Sequence, residues 1–451
     1  MTWPFPYDSP DSLAGQLQRG LGRGYLAALD APSEEVHQHL MKCILGESRL
    51  DHQVDSRRWY YGELAWLTEL PVEPLEAHLV GLGDDRDGDG WLALNVLGHL
   101  AVRGHDGAVD ILRKYVRYGG WWDEALSELG RAQRPEYWQG LETAAADRVT
   151  PDPGGIDLYL GNEPLATFAR TVPAFVAMKQ RADNFERTDA ESEKLRGLST
   201  EELLQSPVTA IHERAKVLAE RTAPIDREAL THGLAHADIK VRALAARALA
   251  EQGSSEGYDT AKQILVGLRG WERLVARGFT TKALTAMPAD LVLPLARKWR
   301  SSRRAPLRDA GRAILESHAN SDDVPWIRNQ LRRKWSIDAE GELLFAAELA
   351  ARLWVPTMLG DLRRLFGEFV YSYGRMHLTE VLAGVDPEFS TTLAVECLWD
   401  CEPDSRRLGV LHADPADVRV RKRLEEIAVD AAEEPGVREL AQAKLTSTAP
   451  S

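Results

Sequence analysis

Asp226–Gln252 reads DREALTHGLAHADIKVRALAARALAEQ, two helical segments hinged at His236 and Ala237. In the second segment Val241, Leu244, Ala245, Ala248 and Leu249 fall at i, i+3, i+4, i+7 and i+8. That spacing draws one apolar stripe along a helix of 3.6 residues per turn. Asp238 stands where an N-cap belongs, so its carboxylate can take free backbone N–H groups, and Arg242, one turn later, is expected to pair with it. Two helices of this size cannot bury both faces alone, and stacking further copies is the usual solution.

The pattern recurs. Leu307, Arg308, Ala310, Gly311, Ile314 and Leu315 repeat it 66 residues later, and Val437, Arg438, Leu440, Ala441 and Leu445 repeat it 196 residues after the first copy. Weaker copies lie at Arg375, Leu378, Val381 and Leu382 and at Ser405 to Gly409, which gives a unit of 31 to 35 residues. The core D-x-x-V-R-x-x-A, here Asp238, Val241, Arg242 and Ala245 and in part Val437, Arg438 and Ala441, resembles the HEAT and armadillo group of helical repeats, above all the short bacterial HEAT-like type. The resemblance implies an all-α fold, an alpha-alpha superhelix or solenoid. It identifies an architecture and not an activity, because one backbone plan serves scaffolds, adaptors, inhibitors and some enzymes.

Pro and Gly concentrate in TPDPGGIDLYLGNEP, Thr150 to Pro164, where no helix can run. The expected organisation is an N-terminal helical block over 1–150, an irregular connection holding one helix over 151–200, and the repeat solenoid over 201–451. The stretch starting MTWPFPYDSP carries neither the basic nor the apolar region of a signal peptide, and no segment approaches the ~18 uninterrupted apolar residues of a membrane span. A cytoplasmic location and no membrane partner are expected. Three cysteines, Cys43, Cys397 and Cys401, are no disulfide framework and read as buried thiols.

Several motifs resemble sites. Asp85, Asp87, Asp89 and Gly90 match positions one, three, five and six of a calcium loop, but position twelve is Val96 instead of a bidentate carboxylate. The segment reads as an acidic turn. His232 and His236 are one helical turn apart without an evident third ligand. No phosphate-cradling loop, nucleophile elbow or H-E-x-x-H motif occurs. No catalytic residue, cofactor or metal is expected.

Two constellations remain. Arg49, Asp51, Gln53, Asp55 and Arg57 alternate with other residues before a helix; in an extended segment all five would face one side. They would either bind a polar ligand or peptide terminus or form a self-satisfied network in which Asp55 caps the helix. The second constellation is basic. Lys298, Arg300, Arg303 and Arg304 surround Trp299, Arg308 and Arg312 follow, and Arg328, Arg332, Arg333 and Lys334 approach Trp335 one repeat later. Corresponding positions of stacked repeats share a surface, so these clusters are expected to form one basic face. From Lys262 to Trp335 there are 16 Lys and Arg against 6 Asp and Glu, a balance of +10 within a chain of −14, so the remaining residues carry −24. The expected function is a protein-interaction module or adaptor whose repeat-lined surface meets an acidic protein partner. The alternative is a nucleic-acid-binding protein resembling the HEAT-like alkylpurine DNA glycosylases in fold class only, the tryptophans stacking on bases.

Overall fold

In a computed structural model, residues 6–447 are described apart from 52–53, 85–89, 150–162, 178, 180–194, 206–210, 268–273 and 337–338. Gln53, the carboxylates of the calcium-like loop and most of the 151–200 connection lie outside the described residues. Every regular element among the described residues is helical, and none is a strand. No helix is long and apolar enough to cross a membrane.

Contacts divide the chain into two units, one made of Met1–Asp183 with Arg328–Ser451 and the other of Asn184–Ile327. Unit 1 is therefore built from two stretches of chain; the sequence placed a single division, at 150 to 200. Its first stretch carries Leu13–Arg19 (α1), Gly22–Asp30 (α2), Ser33–Leu45 (α3), Arg58–Leu67 (α4), Glu73–Leu82 (α5), Trp91–Val102 (α6), Asp106–Tyr118 (α7), Trp122–Arg131 (α8), Glu142–Ala146 (α9) and Leu165–Thr171 (α10). Unit 2 carries Thr200–Gln205 (α11), Ile211–Ala219 (α12), Pro224–Gly233 (α13), Ile239–Glu251 (α14), Tyr258–Gly267 (α15), Leu274–Ala286 (α16), Ala289–Trp299 (α17) and Ala305–His318 (α18). The chain returns to unit 1 within Val324–Leu331 (α19). There follow Glu340–Leu353 (α20), Leu359–Glu368 (α21), Ser372–Val385 (α22), Leu393–Cys397 (α23), Pro403–His412 (α24), Val418–Val429 (α25) and Pro435–Ser447 (α26).

Alternate helices pack side by side. In unit 2 the row is α12, α14, α16, α18, and α13, α15 and α17 each pair with the helix that follows. In unit 1 the rows are α2, α4, α6, α8 and α20, α22, α24, α26, and α2 also touches α23. The apolar stripe read from the sequence supplies this packing: Val241, Leu244, Ala245, Ala248 and Leu249 are all buried, each large side chain contributing about 1.5–3 kcal/mol.

Asp238 caps α14 as expected, accepting from Lys240 N at 2.8 Å. Arg242 does not pair with it. Its guanidinium donates to the carbonyls of His236 at 2.8 Å and Ala237 at 3.3 Å in the preceding turn. The same device recurs: Arg308 donates to Ser302 O, Arg375 to Phe369 O and Arg406 to Asp400 O, always six residues back. Each arginine is the fourth residue of its helix. Helical side chains lean toward the N-terminus, which brings the charge onto the turn carbonyls.

Candidate binding surfaces and a buried polar junction

The open face of the row in unit 2 is a groove of about 740 Å³ along α14, α16 and α18. Arg247 and Glu251 form the α14 wall; Leu274, Arg277, Thr281, Lys282 and Thr285 form the floor on α16; Asp309, Ala313 and Glu316 form the α18 wall. Arg277 pairs with Asp309 across floor and wall. Arg247 gives its Nε to Glu251 at 2.7 Å, lies over the Phe279 ring at 5.2 Å and leaves Nη1 without an acceptor. Lys282 and Leu274 are exposed.

The basic stretches fall one in each unit. In unit 2, Lys298 and Arg303 are exposed and Arg304 and Arg312 half-buried. Trp299 is buried against the core, so its ring is closed to any partner. Arg300 pairs with Asp323 at 3.0 Å and lies 4.4 Å over Trp326; burial lowers its pKa against the pull of Asp323. Burial works against ionisation of Asp323, but hydrogen bonds from Arg297 and the Asn320 N–H hold its carboxyl below the usual value. Arg308 lies 3.9 Å from Asp309. In unit 1, Arg328 donates to Thr357, Arg332 lies 3.9 Å from Asp361, Arg333 pairs with Glu342 at 2.5 Å, and Lys334 is exposed. Trp335 donates to Glu340 at 2.8 Å and packs edge-on against Tyr7 under the Arg19 guanidinium.

The segment before α4 is not extended. Val54 N and Asp55 N both donate to Asp51 O, closing a turn, so the alternating residues separate. Arg49 turns to Glu47 at 2.6 Å, and Asp51 is half-buried. Asp55 does not cap α4, whose N-cap is Arg57 without a side-chain cap bond. Instead Asp55 accepts from Leu50 N at 3.3 Å and from Ser372 Oγ. Arg57 is sealed, 3.5 Å from Asp55, donating to Val370 O at 3.0 Å and to Cys401 Sγ at 2.5 Å. Arg375 completes the junction, binding Asp400 at 3.1 Å and the carbonyls of Arg19 and Gly20 at 2.7 and 3.2 Å. Gly20 closes it: with φ at +67° it sits in the left-handed region, and a Cβ there would meet Arg57 Nη1 and Cys401 Sγ at 2.5 Å.

Electrostatics make the junction inert as a nucleophile. Burial pushes the Cys401 thiol up to about 12 despite the arginines. Burial, and then Asp55, raises Glu402 to about 7, although Ser372 and the Ser56 N–H favour its ionised form. Glu340 is likewise raised to about 7, by burial first.

Sequence reasoning missed a polar track on α4, α6 and α8. Trp91, Asn95, His99 and Arg103 recur every fourth residue along the otherwise apolar α6 and its C-cap, a spacing that marks one polar strip. Trp91 and Asn95 donate to Glu124 at 3.0 and 3.2 Å, and Arg58 binds Glu128 at 2.7 Å. His99 and Arg103 meet Glu63, and Arg103 reaches Asp430 in the second stretch of the unit at 2.9 Å. Burial and then Glu128 raise Glu124 to about 7. Among the described residues no group of three or more His, Cys, Asp or Glu could hold a metal. His236 uses Nδ1 to accept from Asp238 N at 3.0 Å, and the cysteines are unbridged and buried. The chain matches no protein-family model, and no curated protein matches it.

Proposed function

We propose that this chain is a HEAT-like repeat protein of superhelical plan that works in the cytoplasm as a protein-interaction module, meeting an acidic partner through the face of its alternate helices. The groove along α14, α16 and α18 carries the reading. Successive repeats contribute one wall each, as recognition surfaces of stacked helices do, and the floor mixes an exposed apolar side chain with hydroxyls and charges. The recurring arginine of the fourth helical position supports the repeat plan, since it keeps the same turn in copies 31 to 67 residues apart. Lys298 and Arg303 are exposed, and Arg308 and Arg312 lie on α18, the helix whose Asp309, Ala313 and Glu316 form one wall of the groove. Trp299 has no free face to stack on a base, which favours a protein over a nucleic acid.

Affinity capture from native extract with wild type and with Arg303→Glu/Arg304→Glu tests the reading. Loss of one specific partner with the reversed charges is expected. Tight nucleic-acid binding that falls steeply with salt and disappears with the same reversal would replace this function by the nucleic-acid one.

A further inference from the structure

We infer that the groove of unit 2 receives an extended segment of a protein partner that places an Asp or Glu side chain against α14, where Arg247 pairs with it. This rests on the protein-interaction reading and names the chemistry of the occupant.

The donors decide it. Arg277 is already neutralised by Asp309, but Arg247, which lines the groove, has spent only Nε, on Glu251; its guanidinium is held by that bond and by Phe279, and the enclosed Nη1 lacks an acceptor. The residue is more than nine-tenths buried, and an unpaired donor in that setting strongly favours an ionised acceptor. Apolar atoms make up most of the groove's lining, and charge is unevenly placed across it. On the α18 side Asp309 is taken by Arg277 and Glu316 remains to repel a carboxylate, which is drawn instead to Arg247 on α14, in competition with Glu251, and to the exposed Lys282 on the floor. Leu274, 60% exposed, offers an apolar contact to a neighbouring residue of the same segment.

The test uses full-length protein and fluorescein-labelled synthetic decapeptides that hold one Leu fixed and carry Glu at each other position in turn, each matched with its Gln counterpart. At least one Glu peptide should bind tenfold or more tightly than its Gln partner by fluorescence anisotropy. Arg247→Gln should shrink that preference to within twofold while leaving the Gln peptide's affinity unchanged. Glu251→Gln keeps Arg247 and removes the competing carboxylate, so it should strengthen Glu-peptide binding several-fold and serves if Arg247→Gln fails to fold. Equal binding of Glu and Gln peptides, no binding by any peptide, or a preference that survives Arg247→Gln overturns the inference. A photo-crosslinking residue at Thr281 separates this from the broader reading. If it captures a protein from native extract while the peptides show no carboxylate preference, the inference falls and the interaction module stands; if it captures nothing, both fall.

Discussion

Arg375 is held by groups from widely separated parts of the chain. It binds Asp400, two carbonyls of the N-terminal helices and the Cys401 sulfur, all without solvent. Removing one partner of such a pair leaves the other charge buried and unpaired, which costs about 3–5 kcal/mol. Arg375→Met should lower the stability of unit 1 by that amount in urea unfolding, and Arg375→Met/Asp400→Asn should recover part of it. A loss under about 1 kcal/mol would mean that the junction is not a structural clasp. Glu402 and Glu340 give the same region a pH signature. Both stay protonated in the folded chain up to about 7, against an ordinary 4.5 when unfolded. The folded state therefore holds more protons between those values, and stability falls as pH rises from about 5 to 7.5. Thermal melts should show this decline, and Glu402→Gln should flatten it; an unchanged slope would remove Glu402 as its source.

At the scale of the helix, α14 and α18 show what close packing demands of individual positions. Leu244 is 1% exposed between neighbouring helices, so Leu244→Asp should unfold unit 2, a charge there having no partner. Circular dichroism melting checks this. Gly311 occupies the position that is Ala245 in α14, and a Cβ on it would meet Arg300 N at 2.8 Å and Ala296 O at 3.0 Å. The α17–α18 pair approaches too closely for any side chain, and Gly311→Ala should cost about 1–3 kcal/mol by overpacking. Gly409 meets the same constraint against Ala394 O, at 2.9 Å. Gly311 and Gly409 thus mark helix pairs of close approach, where an alanine would be too large.

The whole molecule turns on the return of the chain to its beginning. Unit 1 is closed by groups more than 300 residues apart: Asp55 with Ser372, Arg57 with Val370 and Cys401, Arg103 with Asp430. Deleting residues 388–451 should therefore destroy cooperative melting of the N-terminal helices as well, because Arg57 and Trp59 lose the groups that cover them. A deletion variant whose N-terminal helices still melt sharply would show that they fold without the C-terminal stretch. Charge acts at the same scale. With −24 outside the basic stretch, short DNA should bind only at low salt, and mobility-shift measurements across salt concentrations check this.

Much of the fold was legible because it is local. The 3.6-residue stripe at Val241–Leu249 and the cap at Asp238 depend on neighbours within one or two turns, so helix class follows from order along the chain. The site was less so. Arg49 to Arg57 looked like one polar face, but a turn at Asp51 splits it and two of its members are buried by residues the sequence places over 300 positions away. Nor could spacing show that Trp299 is buried, that Trp335, half-buried, packs edge-on against Tyr7, or that the carboxylate partners of the strip from Trp91 to Arg103 lie on other helices. Sequence determined which helices form and which face each buries; only the tertiary structure decided which helices meet, because burial and the pairing of charge depend on distances that the order of residues does not contain.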